Sequence, residues 1–172
     1  MDKPRYGTHP PEELPLVQLG AGSAVRLVAG RIGDAAGPAR FAADVQIADY
    51  TLAAASSVEH ALAAAHDNCL AYVYRGSATI GGSEVPRGSV ARLAPAAGSA
   101  ERAFGISSGA EGAGVLVFCG KRLDQPIAWH GPFVMTTQAE IRTALAEYSA
   151  GTFLKHRAPW DYRRAAAAPA KE

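Results

Sequence analysis

Short apolar runs, each broken by glycine or proline, recur along most of the chain. They are LVQL at 16–19, AVRLVAG at 24–30, DVQIADYTL at 44–52, LAYVYRG at 70–76, SATIGG at 77–82, SVARLAP at 89–95 and GVLVFCG at 114–120. Their spacing is close to ten residues with no helix-length period between them, which predicts an antiparallel all-β sandwich or barrel rather than alternating βαβ units. Within 44–52, Val45, Ile47, Tyr50 and Leu52 alternate only in part. The 70–76 run is apolar on both faces as far as Arg75, the pattern of a central strand.

The pattern changes at Thr137. Thr137 followed three residues later by Glu140 is a capping-box signature, and Ile141, Ala144, Leu145 and Tyr148 then recur at helical spacing. Gly151 stands where a left-handed stop belongs, so a helix is predicted over about 137–150. Ahead of the strands, Pro4, Pro10, Pro11 and Pro15 make residues 1–15 an extended leader, because proline neither donates to a ladder nor continues a helix. The domain proper is expected at 16–153. The 154–172 tail has too few large apolar side chains to order itself.

At 172 residues the chain fits one domain, with enough length for a real core and no need for disulfides or a structural metal. Seventeen Lys plus Arg against sixteen Asp plus Glu leave a formal charge of +1, which excludes charge-driven nucleic-acid binding. Arg157, Arg163 and Arg164 with Trp160 and Tyr162 therefore read as a solvated end. Cys69 and Cys119 sit in apolar strings and read as buried free thiols in a reducing compartment, with a disulfide between them as the lesser alternative. With no secretory h-region and no apolar run of membrane-spanning length, the expected location is the cytoplasm, with no membrane partner. Ser107 and Ser108 lack the neighbours that make a nucleophile.

The string GKRLDQPIAWHGPFVMTTQAEIRTALAEYSAGTF at 120–153 closely resembles the C-terminal signature of the pirin family, whose members carry two cupin barrels. The residues from Pro4 to Arg40 resemble the family's interdomain connection and first C-terminal strand, and HDNCLAYVYRGSATIGG its central hairpin. The likeness covers about 4–153 and matches the second half of a pirin. It implies a cupin jelly-roll barrel with a C-terminal helix, in agreement with the strand-then-helix pattern. Gln125 stands where the family usually has Glu, and Thr136 where it usually has Asn. Thr still caps a helix.

Pirins are known as iron-binding regulators, some with quercetin 2,3-dioxygenase activity, and the resemblance assigns their metal to three His and one Glu of the first cupin. No residue of this chain matches those positions. The general cupin pattern, tested on the second barrel, puts the Glu position on Cys69 and the paired His positions on Ala63 and Ala65, or on Leu62 and Ala64. The last His position falls on Ala91, after the Pro86–Gly88 turn. The turns survive and the ligands do not. His60, His66, Cys69 and His130 remain candidate donors for an unconventional iron site, although His130 reads better as structural. Tyr72, Tyr74 and Trp129 could line a barrel mouth or fill the core. Catalytic residues are not assigned and no cofactor is expected, with iron the alternative. The leading expectation is a metal-free binding module. The Ile141, Leu145 and Tyr148 stripe or the barrel face would be covered by a second copy or by a separately encoded N-terminal cupin. The alternatives are a quercetinase-type dioxygenase acting on an aromatic substrate, and the C-terminal half of a split or truncated pirin.

Overall fold

The computed structural model describes residues 7–93 and 102–155. They divide into two compact units, one from His9 to Arg122 and one that groups Gly7 and Thr8 with the residues from Leu123 on.

The first unit opens with a 3-10 turn at Pro11–Glu13. Arg26 Nη1 donates to the Pro11 carbonyl at 2.7 Å and the Leu27 N–H to the Pro15 carbonyl at 2.9 Å, so this part of the leader is tied to the strands. The strands are β1 (Leu16–Gly20), β2 (Ser23–Ala29), β3 (Arg31–Ile32), β4 (Ala35–Ala36), β5 (Val45–Leu52), β6 (Ser57–Ala61), β7 (Asn68–Ile80), β8 (Ser83–Val85), β9 (Val90–Leu93) and β10 (Ala103–Gly120). The main sheet runs β1-β2-β5-β10-β7-β8, with β6 added to β10 and β9 to β7, and each of these pairs is antiparallel.

Two strands are longer than the sequence suggests. The runs at 70–76 and 77–82 belong to one strand, β7, and the run at 114–120 is only the second half of β10. Both strands bend without ending, because Gly76 (φ +65°) and Gly112 (φ +74°) meet across the ladder at a bulge. A Cβ on Gly76 would run into the Gly112 carbonyl oxygen. The bend divides the sheet into two arms. One holds β6, β8 and the 103–108 part of β10; the other holds β1, β2, β5, β9 and the 113–120 part. Val25, Leu27, Val73, Val115, Val117, Ile80 and Ile106, drawn from both arms, are buried in one core cluster. β7 is central in the ladder, yet its second face is not: Leu70 and Tyr72 are 37% exposed. An apolar outer face hid the alternation.

The second unit is local in construction. β11 (Ala128–His130) and β12 (Phe133–Met135) form a hairpin that leads into α1 (Gln138–Ser149). Thr137 Oγ1 accepts from the Glu140 N–H at 3.2 Å, and the Glu140 carboxylate accepts from the Thr137 N–H at 2.9 Å. Thr136 adds its own N–H and hydroxyl to the same carboxylate. At the other end Gly151 takes φ +71°, and the N–H groups of Gly151 and Thr152 donate to Tyr148 and Glu147, a Schellman motif. Of the tail expected at 154–172, all beyond Lys155, with the Arg157, Trp160, Tyr162, Arg163 and Arg164 cluster, lies outside the described residues.

Candidate functional site

The polar groups of the core gather at one level of the barrel. Side by side on β5, β10 and β7 stand Gln46, Cys119 and Cys69 in direct register, all facing inward and nearly inaccessible. The Cys69 and Cys119 sulfurs are 2.8 Å apart and both thiols are free. β6 brings in His60, which is 1% exposed. Its Nδ1 lies 2.7 Å from the Tyr50 hydroxyl and its Nε2 3.5 Å from Cys119 Sγ. Tyr50 and Phe104 pack against the imidazole, with ring centroids at 5.7 and 5.0 Å.

His66 enters from the loop after β6 and is also buried. Its Nε2 is 3.4 Å from Asp44 Oδ2, while neither ring nitrogen has a hydrogen-bond partner among the described residues. The loop is fixed by Arg102, whose Nη2 donates to the carbonyls of Ala63, Ala64 and His66 at 2.6, 2.9 and 2.8 Å. Gln46 Nε2 donates to the Arg31 carbonyl at 2.6 Å, and its Oε1 has no hydrogen-bond partner among the described residues. Asp44 and Arg31 belong to the wall of a cleft of about 430 Å³ outside this level, lined also by Arg40, Phe41 and Val45.

The thiols are not equivalent. The hydrogen bond shared with Cys69 holds the Cys119 thiol well below the ordinary thiol range, and His60 adds to the effect. The same shared proton, with burial, pushes Cys69 up. Burial also raises Tyr50, so its hydroxyl stays protonated at physiological pH.

As a metal site the cluster does not fit. Among the described residues no three His, Cys, Asp or Glu side chains converge as a ligand set. Two thiolate ligands on one first-row ion sit at about 2.3 Å from it, which spreads their sulfurs wider than 2.8 Å. The position that the cupin pattern assigns to Glu is occupied by Cys69, turned inward as that pattern requires. Ala91, the last His position, follows a Pro86–Gly88 turn held by the Gly88 N–H to Val73 carbonyl bond.

The other sequence candidates are dispersed. His130 is exposed on β11 at the hairpin turn, and Trp129 beside it is 72% exposed with its Nε1 donating to the Gly131 carbonyl. Tyr72 and Tyr74 point out of the barrel, neither core nor mouth, and the Tyr74 hydroxyl donates to Asp49 Oδ1 at 2.7 Å. On α1, Ile141 is buried, Leu145 half-buried, and Tyr148 exposed with its ring edge on Phe133 and Phe153. Ser108 Oγ bonds the Ala53 carbonyl and serves a turn. The structure brings together His60 and Cys69 through Cys119, and adds Tyr50, Gln46 and Arg102, to which sequence reading assigned no site role. For Cys119 the inward parity of its strand was the available signal. For the others only long-range pairing reveals the role.

A bent antiparallel barrel with an inward-facing site at one level defines a cupin domain. Residues 47–154 match the family model described as the pirin C-terminal cupin domain, and the chain belongs to the pirin family. A Pseudomonas aeruginosa relative named "Putative quercetin 2,3-dioxygenase" is 36% identical over 82% of this chain and 50% of its own length. A Vibrio cholerae protein of the same name is 38% identical over 51% of this chain and 29% of its own. The crystal structure of an Acinetobacter baumannii quercetin 2,3-dioxygenase superposes with a TM-score of 0.73 at 28% identity, over 83% of this chain and 48% of that one. The chain thus spans about half the length of those two longer-matching relatives.

Proposed function

We propose that this pirin-type cupin is a metal-free, non-catalytic binding module that works in the cytoplasm by pairing with a second copy of itself. The supporting observation is an apolar strip on the outer face of the sheet. Val90, Tyr72 and Leu116 stand in register across β9, β7 and β10, with Leu70 and Phe118 beside them. Val90 is 56% exposed and Phe118 39%. A patch of this kind on a domain whose buried donors do not converge favours association over chemistry. A separately encoded N-terminal-type cupin is the other partner that could cover it.

Sedimentation of the purified chain at micromolar concentration tests the reading. A dimer that becomes monomeric in a Tyr72→Glu, Phe118→Glu double variant is expected, with unchanged circular dichroism. A monomeric wild type with no copurifying cupin rejects it.

The second reading is a dioxygenase of the quercetinase type, using iron and an aromatic substrate, and it draws on the names of the relatives. Metal analysis of protein purified without added iron or chelator, together with quercetin consumption, tests that reading. Substoichiometric metal that a His66→Ala change leaves unaltered counts against it.

A further inference from the structure

The inner level of the barrel carries a feature that neither reading uses. We infer that Cys69 and Cys119 form an oxidisable dithiol, which hydrogen peroxide converts to a cross-strand disulfide inside the barrel. Three observations carry the inference.

The first is register. Cys69 and Cys119 are direct partners on antiparallel β7 and β10. Directly opposed residues in such ladders have Cα atoms about 4.5–5.5 Å apart, inside the roughly 4.4–6.8 Å range that a disulfide spans. The second is proximity. Sulfurs at 2.8 Å need less than about 1 Å of further approach to bond, so neither strand has to move far. The third is the proton relay. His60 Nε2 faces Cys119 Sγ, and His60 Nδ1 meets the Tyr50 hydroxyl, which donates or accepts equally well. With the Cys119 proton on His60, both ring nitrogens donate, one to the thiolate and one to the Tyr50 oxygen. Cys69 can remain a thiol and donate to the same sulfur.

The chemistry balances in two steps. The Cys119 thiolate attacks one peroxide oxygen, the O–O bond breaks, and the departing hydroxide takes the proton held on His60 to leave as water. Cys119 is then a sulfenic acid. The Cys69 sulfur attacks Cys119 Sγ, the S–O bond breaks, and the Cys69 proton leaves with the hydroxyl as a second water. Two thiols and one peroxide give one disulfide and two waters. The asymmetry of the two thiols gives each its part: Cys119 attacks and Cys69 resolves.

Peroxide treatment of the native chain, followed by unfolding, alkylation and mass spectrometry, tests this. The wild type is expected to lose two hydrogens, to go from two alkylatable thiols to none, and to yield a linked Cys69–Cys119 peptide that reduction reverses. Cys69→Ser is expected to stop at a Cys119 sulfenic acid trapped by dimedone. Cys119→Ser is expected to stay unoxidised. Two free thiols in the treated wild type, sulfinic acid at Cys119, or disulfides only between chains overturn the inference. The wild-type readout stands even where a variant fails to fold.

Discussion

The barrel and the hairpin–helix unit are stabilised in different ways. In the barrel, side chains far apart in sequence meet only because strands pair: Cys69 faces Cys119, and Tyr50 reaches His60. In the second unit the contacts that set the ends of α1 lie within about one helical turn, as between Thr137 and Glu140 or Thr152 and Glu147. Local rules place an element, while long-range pairing creates a site. Damage should therefore be large and cooperative in the barrel and small around the helix.

The largest effect is expected at the core. Ile106 is fully buried, and Ile106→Ala should cost about 2–5 kcal/mol, read as a shifted urea midpoint. A change under about 1 kcal/mol would mean that the two arms of the barrel do not share one core. Gly76→Ala should follow, at no less than about 1–3 kcal/mol, because the new methyl meets the Gly112 carbonyl at a backbone φ that L side chains avoid. Tyr50→Phe removes the partner of a buried imidazole nitrogen and should cost about 1–3 kcal/mol. The same variant should slow peroxide oxidation of Cys119 if the relay is intact.

The smallest effect is expected at the helix cap. The Thr136 and Thr137 hydroxyls and N–H groups hold the Glu140 carboxyl below the usual range. The folded chain thus keeps Glu140 ionised to lower pH than the unfolded chain does. Its contribution is complete above the ordinary carboxylate value and fades as pH falls through the lowered folded value. The gap between the urea midpoints of wild type and Glu140→Gln should narrow as pH falls from neutral into the acid range. A gap that widens on acidification would reverse the sign and rule out the capping interaction as its source.

The same contrast explains what could be read from the chain. The helix, its Thr137 cap and its Gly151 stop were legible because each rests on neighbours in sequence. Strand positions were legible too, from apolar runs and their breaks. The joining of 70–76 to 77–82 was not, because Gly76 looks like a terminator until Gly112 is placed opposite it. Tyr72 and Tyr74 could not be assigned a face while both faces of their strand were apolar. His60 and Cys69 were visible as candidates, but Cys119, whose sulfur stands between them, lies fifty residues from Cys69 and shows its part only through register.

The paired glycines carry a consequence for motion. Since β7 and β10 each run through the bend and belong to both arms, neither arm can peel away without breaking a strand that the other needs. Backbone amides on either side of Gly76 should therefore exchange with solvent at matching rates, in one opening event. The bend that shapes the barrel also denies it a hinge.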